Sequence, residues 1–281
     1  MIPTTEFYNQ LEEKTSSIPD NYFSGDGLLY CGKCHTPLQF RMKLNGQQKI
    51  LPCLCQCRKE EDRRFRQQEE KKKQRVLIQK LRTEGLQEKQ LLDWRFETAE
   101  ETAAIQWARR YVENWEQVKA DNLGLLLWGE VGTGKSFTAA CIANALLEQS
   151  IPVMMTNFSK ILNQMGTMYS EQRYRYIASF SDYTLLIIDD LGIERSTEYA
   201  REQVYAMIDE RYKAHLALIV TTNLTIHELR CPSNISEARI YSRLLEMCTP
   251  IHIGGEDRRK AKGKAKQEQV KQFLFPGGGG E

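Results

Sequence analysis

From Trp94 onward the chain alternates short apolar runs with helical stretches. The runs fall at residues 124–128, 153–156, 184–189, 216–221 and 250–253. A strand buried on both faces reads as a continuous apolar run, and strands separated by helices pack as a parallel sheet covered on both sides. The expected fold class is therefore α/β, with one domain over residues 94–260. Upstream the pattern changes. Residues 58–90 are dense in Arg, Lys, Glu and Gln, with few apolar positions before Val76, and set the linker at 61–93. It reads as a solvated helix joining two modules, broken at Gly85, or as a flexible charged linker. Residues 1–60 form a separate N-terminal module, weakly patterned at first, with one helix expected over 5–14. Residues 256–281 turn basic and then Gly-rich, with seven Lys or Arg from Arg258 to Lys271. The tail, 261–281, is expected to lack stable structure.

Composition narrows the setting. Charged residues make up 27% of the 281, apolar ones 41%, and the net charge is +2. So balanced a chain binds nucleic acid, if at all, through a local patch. No apolar run approaches a membrane span, and the first residues lack the charged-then-apolar pattern of a secretion signal. A cytoplasmic protein without a membrane partner is expected, in which the eight cysteines stay reduced.

The first chemical signal is Gly129-Glu130-Val131-Gly132-Thr133-Gly134-Lys135-Ser136, a G-x-x-x-x-G-K-S loop between an apolar strand and an Ala-rich helix that begins at Phe137. That context is what a phosphate-binding loop requires. The glycines let successive backbone N–H groups turn inward, and the helix N-terminus adds positive potential. Lys135 would reach the β- and γ-phosphates, and Ser136 would ligate Mg²⁺.

Five of the eight cysteines lie within residues 31–57. Cys31 and Cys34 form a C-x-x-C pair, and Cys53, Cys55 and Cys57 follow. Between them alternating apolar residues lead into Asn45-Gly46, the strongest two-residue hairpin signal. A hairpin with cysteine pairs at its ends is the layout of a zinc ribbon, and so small a module needs the metal to fold. The ligands chosen are Cys31, Cys34, Cys55 and Cys57. Cys53, beside Pro52, competes for a place, and His35 adjoins the first pair. A redox pair or unrelated thiols is the other reading. Cys141, Cys231 and Cys248 are isolated and read as small apolar side chains.

Asp189 and Asp190 end the apolar run 185–188, at the edge where open α/β sheets bind ligands. Asp189 would hold Mg²⁺, and Asp190 would orient or deprotonate an attacking water; a helix cap is the plainer reading. Thr222 and Asn223 end the next run, beside the γ-phosphate if the two strands adjoin, or in a turn. Ser236 reads as an N-cap. Arg239 and Arg243 then share one helical face while Ile240 and Leu244 pack inward, so the arginines are expected to point outward. They are a solvated face, or one serves a neighbour's nucleotide in an oligomer.

Together Leu-Leu-Ile-Ile-Asp-Asp-Leu-Gly (185–192), the Thr-Thr-Asn strand end and Arg-Ile-x-x-Arg-Leu resemble the DnaC/DnaI-type replicative helicase loaders, AAA+ P-loop ATPases related to DnaA. The same core occurs in IstB-type transposition helpers. The N-terminal cysteine module resembles that of phage and Gram-positive loaders. The resemblance implies ATP and Mg²⁺ as ligands, with Lys135 and Ser136 in Walker A and Asp189 in Walker B. It further implies Asn223 as sensor 1, Arg243 as arginine finger with Arg239 as alternate, and Arg259 or Arg258 near sensor 2. It also implies a hexameric replicative helicase gripped by the N-terminal module, single-stranded DNA against the ATPase module, and self-association. Asp190 departs from the pattern, standing where many AAA+ proteins carry Glu. The expected function is ATP-dependent helicase loading. The alternatives are a transposition helper acting on duplex DNA, against which the zinc module argues, and a zinc-ribbon adaptor with a weak ATPase.

Overall fold

The structure is a computed structural model and describes residues 21–44, 46–192 and 197–274. The helix expected over 5–14 and residues 275–281 lie outside the described residues. The chain divides into two compact units, Met1–Arg75 and Val76–Glu281. The boundary falls inside the long helix α1 (Gln56–Gly85).

In the first unit β1 (Tyr22–Phe23) pairs antiparallel with β2 (Leu29–Tyr30), and β3 (Gln39–Leu44) with β4 (Gln47–Pro52). Leu44 faces Gln47 across the two-residue turn. Gly46 takes the left-handed φ of +78° that such a turn demands, and Asn45 lies outside the described residues. Alternation on β3 leaves Phe40, Met42 and Leu44 exposed. Among the described residues the buried apolar ones here are Cys31, Leu38 and Cys55, too few to hold a fold by burial alone.

The second unit contains five parallel strands in the order β6 (Val153–Asn157), β7 (Leu185–Leu191), β8 (Leu218–Thr222), β5 (Gly124–Trp128) and β9 (Cys248–His252). Each expected apolar run is a strand, with ends shifted by up to two residues. The helices are α2 (Lys89–Asp93), α3 (Ala103–Glu113), α4 (Trp115–Ala120), α5 (Lys135–Glu148), α6 (Phe158–Met165), α7 (Ser170–Ser179), α8 (Glu198–Lys213), α9 (Ile226–Arg230), α10 (Ile235–Met247) and α11 (Arg258–Leu274). Strand alternation sorts the core in two. Leu125, Leu127, Leu185, Ile187 and Ile219 pack with Ile142, Leu146 and Leu147 of α5. Leu126, Leu186, Ile188, Leu218 and Val220 pack on the other face with Phe158, Val204, Ile208 and Leu244.

Three sequence expectations change. The basic segment after Asp257 is helical through Leu274. The N-cap of α10 is Asn234, whose side chain accepts from the Glu237 N–H at 2.9 Å, rather than Ser236. Cys231 is exposed, while Cys141 and Cys248 are buried. The break at Gly85 has a steric cause: a Cβ there would lie 2.0 Å from the Val153 carbonyl oxygen, and Leu86 next to it bridges to Met155 of β6.

Arg211 on α8 is buried without a carboxylate. Its guanidinium donates to the carbonyls of Phe180 (3.1 Å), Tyr183 (2.7 Å), Thr184 (2.9 Å) and Ala217 (2.7 Å). It thereby ties the starts of β7 and β8 together. Burial lowers its pKa to about 10, so it stays charged at neutral pH. Arg211→Met would leave several buried carbonyls unpaired, at about 1–3 kcal/mol each. A loss of about 3 kcal/mol or more in urea unfolding is expected, and a loss under about 1 kcal/mol would contradict this role.

Candidate active site and cysteine centre

The sheet order sets out the site. β8 separates β5, which feeds the phosphate-binding loop, from β7, which carries the carboxylates. Gly134 caps α5 with φ +101°, and Gly132 has φ +83°. A Cβ on Gly132 would lie 1.9 Å from the Asp257 carboxylate, so the turn before α11 sits on the loop. The Arg258 N–H also donates to the Gly132 carbonyl at 3.1 Å. Lys135 is 5% exposed. Its ammonium donates to the carbonyls of Gly129 (3.0 Å) and Glu130 (2.7 Å). Burial lowers its pKa, opposed by the nearby charges of Asp190 and Asp189.

On β7 the register shifts between Ile188 and Leu191, and Asp190 takes a left-handed φ of +57°. Asp is among the non-glycine residues that tolerate this region best. One hydroxyl fastens both carboxylate residues: Thr221 Oγ1 donates to Asp189 Oδ1 at 2.5 Å and accepts the Asp190 N–H at 2.9 Å. Burial raises the pKa of Asp189, with hydrogen bonds from Thr221 and Ser136 opposing.

The loop from Val131 to Phe137 lines a cleft of about 940 Å³ together with Asp190, Asn223 and Arg259. Sequence reasoning missed Gln90, Trp94, Thr98 and Asp257 on the same wall. Buried Asn144 donates to the Leu91 (2.8 Å) and Trp94 (2.9 Å) carbonyls, which holds Trp94 against Phe137, their rings 5.8 Å apart. No motif marked these residues: Gln90 falls in the stretch that reads as linker, and Trp94, Thr98 and Asp257 belong to the expected domain but carry no spacing signal of their own. Thr221 lay in an expected strand, but its partner became visible only once β7 and β8 were paired.

Two sequence expectations fail here. Thr222 is buried away from the cleft, donating to the Leu191 carbonyl at 2.8 Å. Arg243 does not point outward. It pairs with Asp209 at 2.5 Å, donates to the Tyr205 hydroxyl at 2.8 Å and lies over the Tyr212 ring. Arg239 is exposed over the Tyr205 ring, and neither arginine lines the cleft.

In the first unit the sulfurs of Cys31, Cys34, Cys55 and Cys57 all lie within 4.8 Å of one another. Tetrahedral zinc–thiolate bonding at about 2.3 Å places sulfurs about 3.8 Å apart, so the set has the right size and chemistry for zinc. Thr36 supports it, its hydroxyl 3.1 Å from Cys34 Sγ and accepting the Gln56 N–H at 2.8 Å. Cys53 points elsewhere, toward the Pro37 carbonyl at 3.3 Å. His35 lies 3.2 Å from the Tyr22 hydroxyl and outside the cluster.

Residues 60–266 match the family described as IstB-like ATP binding protein. The chain belongs to this family. The replicative helicase loader DnaI of Bacillus subtilis is 28% identical to it over 147 residues, 48% of this chain and 47% of its own length. DnaC of Escherichia coli, also named a replicative helicase loader, is 24% identical over 140 residues, 49% of this chain and 56% of its own length. The chain spans about half the length of these curated relatives. A crystal structure of DnaI matches 60% of this chain and 96% of its own at a TM-score of 0.52 and 21% identity, which shows a shared fold. The IstB-like chain thus has the AAA+ P-loop fold and an ATP-binding family's loop. No described helix is long and apolar enough to cross a membrane.

The raised Asp189 pKa makes a stability prediction. Unfolded, Asp189 ionises near its ordinary value of 3.8; folded, it ionises at higher pH. The folded state therefore bears a penalty that is complete above the folded value and absent below the unfolded one. Asp189→Asn should make the nucleotide-free chain more stable than the parent at neutral pH, with the advantage fading as pH falls toward 3.8 and gone below it. Equal stability at neutral pH in thermal unfolding would contradict the assignment.

Proposed function

We propose that this IstB-like chain is an ATP-driven loader that binds a hexameric replicative helicase and helps place it on single-stranded DNA. The carrying observation is the assembled cleft: Lys135, Ser136 and Asp190 line it, and Asp189 lies behind, hydrogen-bonded to Ser136, in a chain similar to two named helicase loaders. ATP would enter the cleft and draw the Lys135 ammonium from its loop carbonyls onto the phosphates. Ser136 and Asp189 would hold Mg²⁺, which when bound neutralises developing phosphate charge. Asp190 would orient or deprotonate the attacking water, giving ADP and phosphate, and Asn223 and Arg259 would face the phosphates across the cleft. Self-association would bring a cation to a neighbour's cleft. Exposed Arg239 can do so directly, whereas Arg243 must first leave Asp209.

Two surfaces support the partners. Tyr169 and Tyr174 are 82% and 72% exposed beside Arg173 and Arg175 on α7. Aromatic faces interleaved with cations suit stacked bases and phosphates of single-stranded DNA. In the first unit the exposed stripe of Phe40, Met42 and Leu44 suits a protein partner. Zinc on the four cysteines would supply the folding free energy that unit's small core lacks.

Metal analysis of the full chain should find about one zinc per chain. Cys34→Ser should unfold the N-terminal unit and abolish helicase binding while nucleotide binding persists. A metal-free chain with that unit folded would contradict the zinc assignment. The IstB-like family match keeps a second reading in play, the transposition helper acting on duplex DNA that the sequence resemblance raised. Native mass measurement with cognate helicase, with and without ATP, separates the two: a helicase complex supports the loader, and assembly with transposase but not helicase overturns it.

A further inference from the structure

Helix α11 was expected to be an unstructured tail, and it is the most one-sidedly charged element of the chain. Seven Lys or Arg and one Glu lie between Arg258 and Leu274, a net of +6. The whole chain carries only +2, so without this helix it would carry −4. The sign of the protein's charge therefore rests on 17 residues.

The helix is fixed at its base. Asp257 sits on Gly132, the Arg258 N–H donates to the Gly132 carbonyl at 3.1 Å, and the Arg258 side chain pairs with Glu100 at 3.6 Å. Beyond this root it runs on for about 25 Å at 1.5 Å per residue. Lys260, Lys264, Gln267 and Lys271 recur at intervals of three or four, and at about 100° per residue they form one stripe. All four are exposed. Among the described residues no ion pair engages the three lysines. A solvated helix normally mixes charges at i and i+4 to relieve repulsion. Here one acid, Glu268, stands within helical reach of Lys264 and Lys271, and among the described residues it pairs with neither. The stripe therefore keeps an excess of like charge, an arrangement that an anionic polymer stabilises by releasing its own counterions. No aromatic or amide group stands in the stripe to read bases apart from Gln267, so the recognised chemistry is phosphate rather than sequence.

We propose that α11 is a phosphate-binding arm for nucleic acid, rooted on the nucleotide-binding loop and contacting the sugar–phosphate backbone through Lys260, Lys264 and Lys271. The arm is separate from the Tyr and Arg surface of α7 and does not depend on helicase loading.

The test is anisotropy of a labelled 30-nucleotide single strand, and of the same sequence as duplex, across a salt series with the full-length chain. The probe variant is Lys260→Gln, Lys264→Gln, Lys271→Gln together, which spares Arg258, Arg259 and the exposed Phe273. Each phosphate contact contributes a slope of about −0.7 on single strands or −0.9 on duplex in log K against log salt. The variant should bind at least about tenfold more weakly at low salt, with a slope shallower by about two, on one or both forms. Binding of ATP should be unchanged, which shows the domain intact, and the matching Lys→Arg variant should restore DNA affinity. Unchanged affinity and slope on both nucleic acids would overturn the proposal. So would loss of helicase binding with DNA binding retained, which would make the stripe a docking surface for an acidic protein.

Discussion

A charged lysine buried where an apolar sheet ends is the constraint around which the second unit is arranged. An ammonium removed from water is costly unless hydrogen-bonded and balanced by charge. Lys135 meets the first need from the carbonyls of Gly129 and Glu130 and the second from Asp189 and Asp190. The carboxylates can oppose it only because β7 lies one strand beyond β8, and Thr221 on that intervening strand binds to both residues. The Asp190 backbone is held in the left-handed region and the Asp189 carboxyl is pushed away from ionising. Neither feature helps the empty fold. Both suit a site whose charges are completed by a metal and phosphates.

This arrangement explains which parts of the molecule were legible in the sequence. The apolar runs located the strands because a doubly covered strand has no polar face to obscure it. The G-x-x-x-x-G-K-S loop and the Asp pair stood out because their chemistry needs fixed residue types at fixed spacing. Spacing alone left Cys53 in competition, since Cys53-x-Cys55 and Cys55-x-Cys57 are the same pattern, and the structure separates it: the Cys53 thiol turns to Pro37 while Cys31, Cys34, Cys55 and Cys57 cluster. What stayed hidden depends on long-range pairing. Thr221 rather than Thr222 meets the carboxylate strand's site residues because alternate residues of β8 face opposite ways, and the strand's end could not be fixed to one residue. Arg243 looked like a surface residue because Asp209 and Tyr205 lie on another helix. Trp94 and Asn144 meet across about 50 residues, beyond any local pattern. Helix α11 escaped notice because its composition matches a disordered tail.

The two units differ in what holds them. The second buries two continuous apolar layers and is stapled by Arg211. Among the described residues the first has a core of three buried residues, two of them cysteines of the metal-type cluster, and exposes apolar side chains on β3. The four-cysteine cluster has the size and chemistry to hold a metal that would compensate for so small a described core. A unit with a preformed, strained cleft is suited to nucleotide chemistry.

The central claim is that the buried lysine and paired carboxylates form one site for magnesium and ATP. Calorimetric titration of ATP into the parent and into Lys135→Ala, each with and without Mg²⁺, tests it most directly. One nucleotide per chain, tighter binding with Mg²⁺, and affinity about tenfold or more weaker in the variant are expected from loss of a charge-assisted contact. A Lys135→Ala chain that binds ATP as tightly as the parent would contradict it.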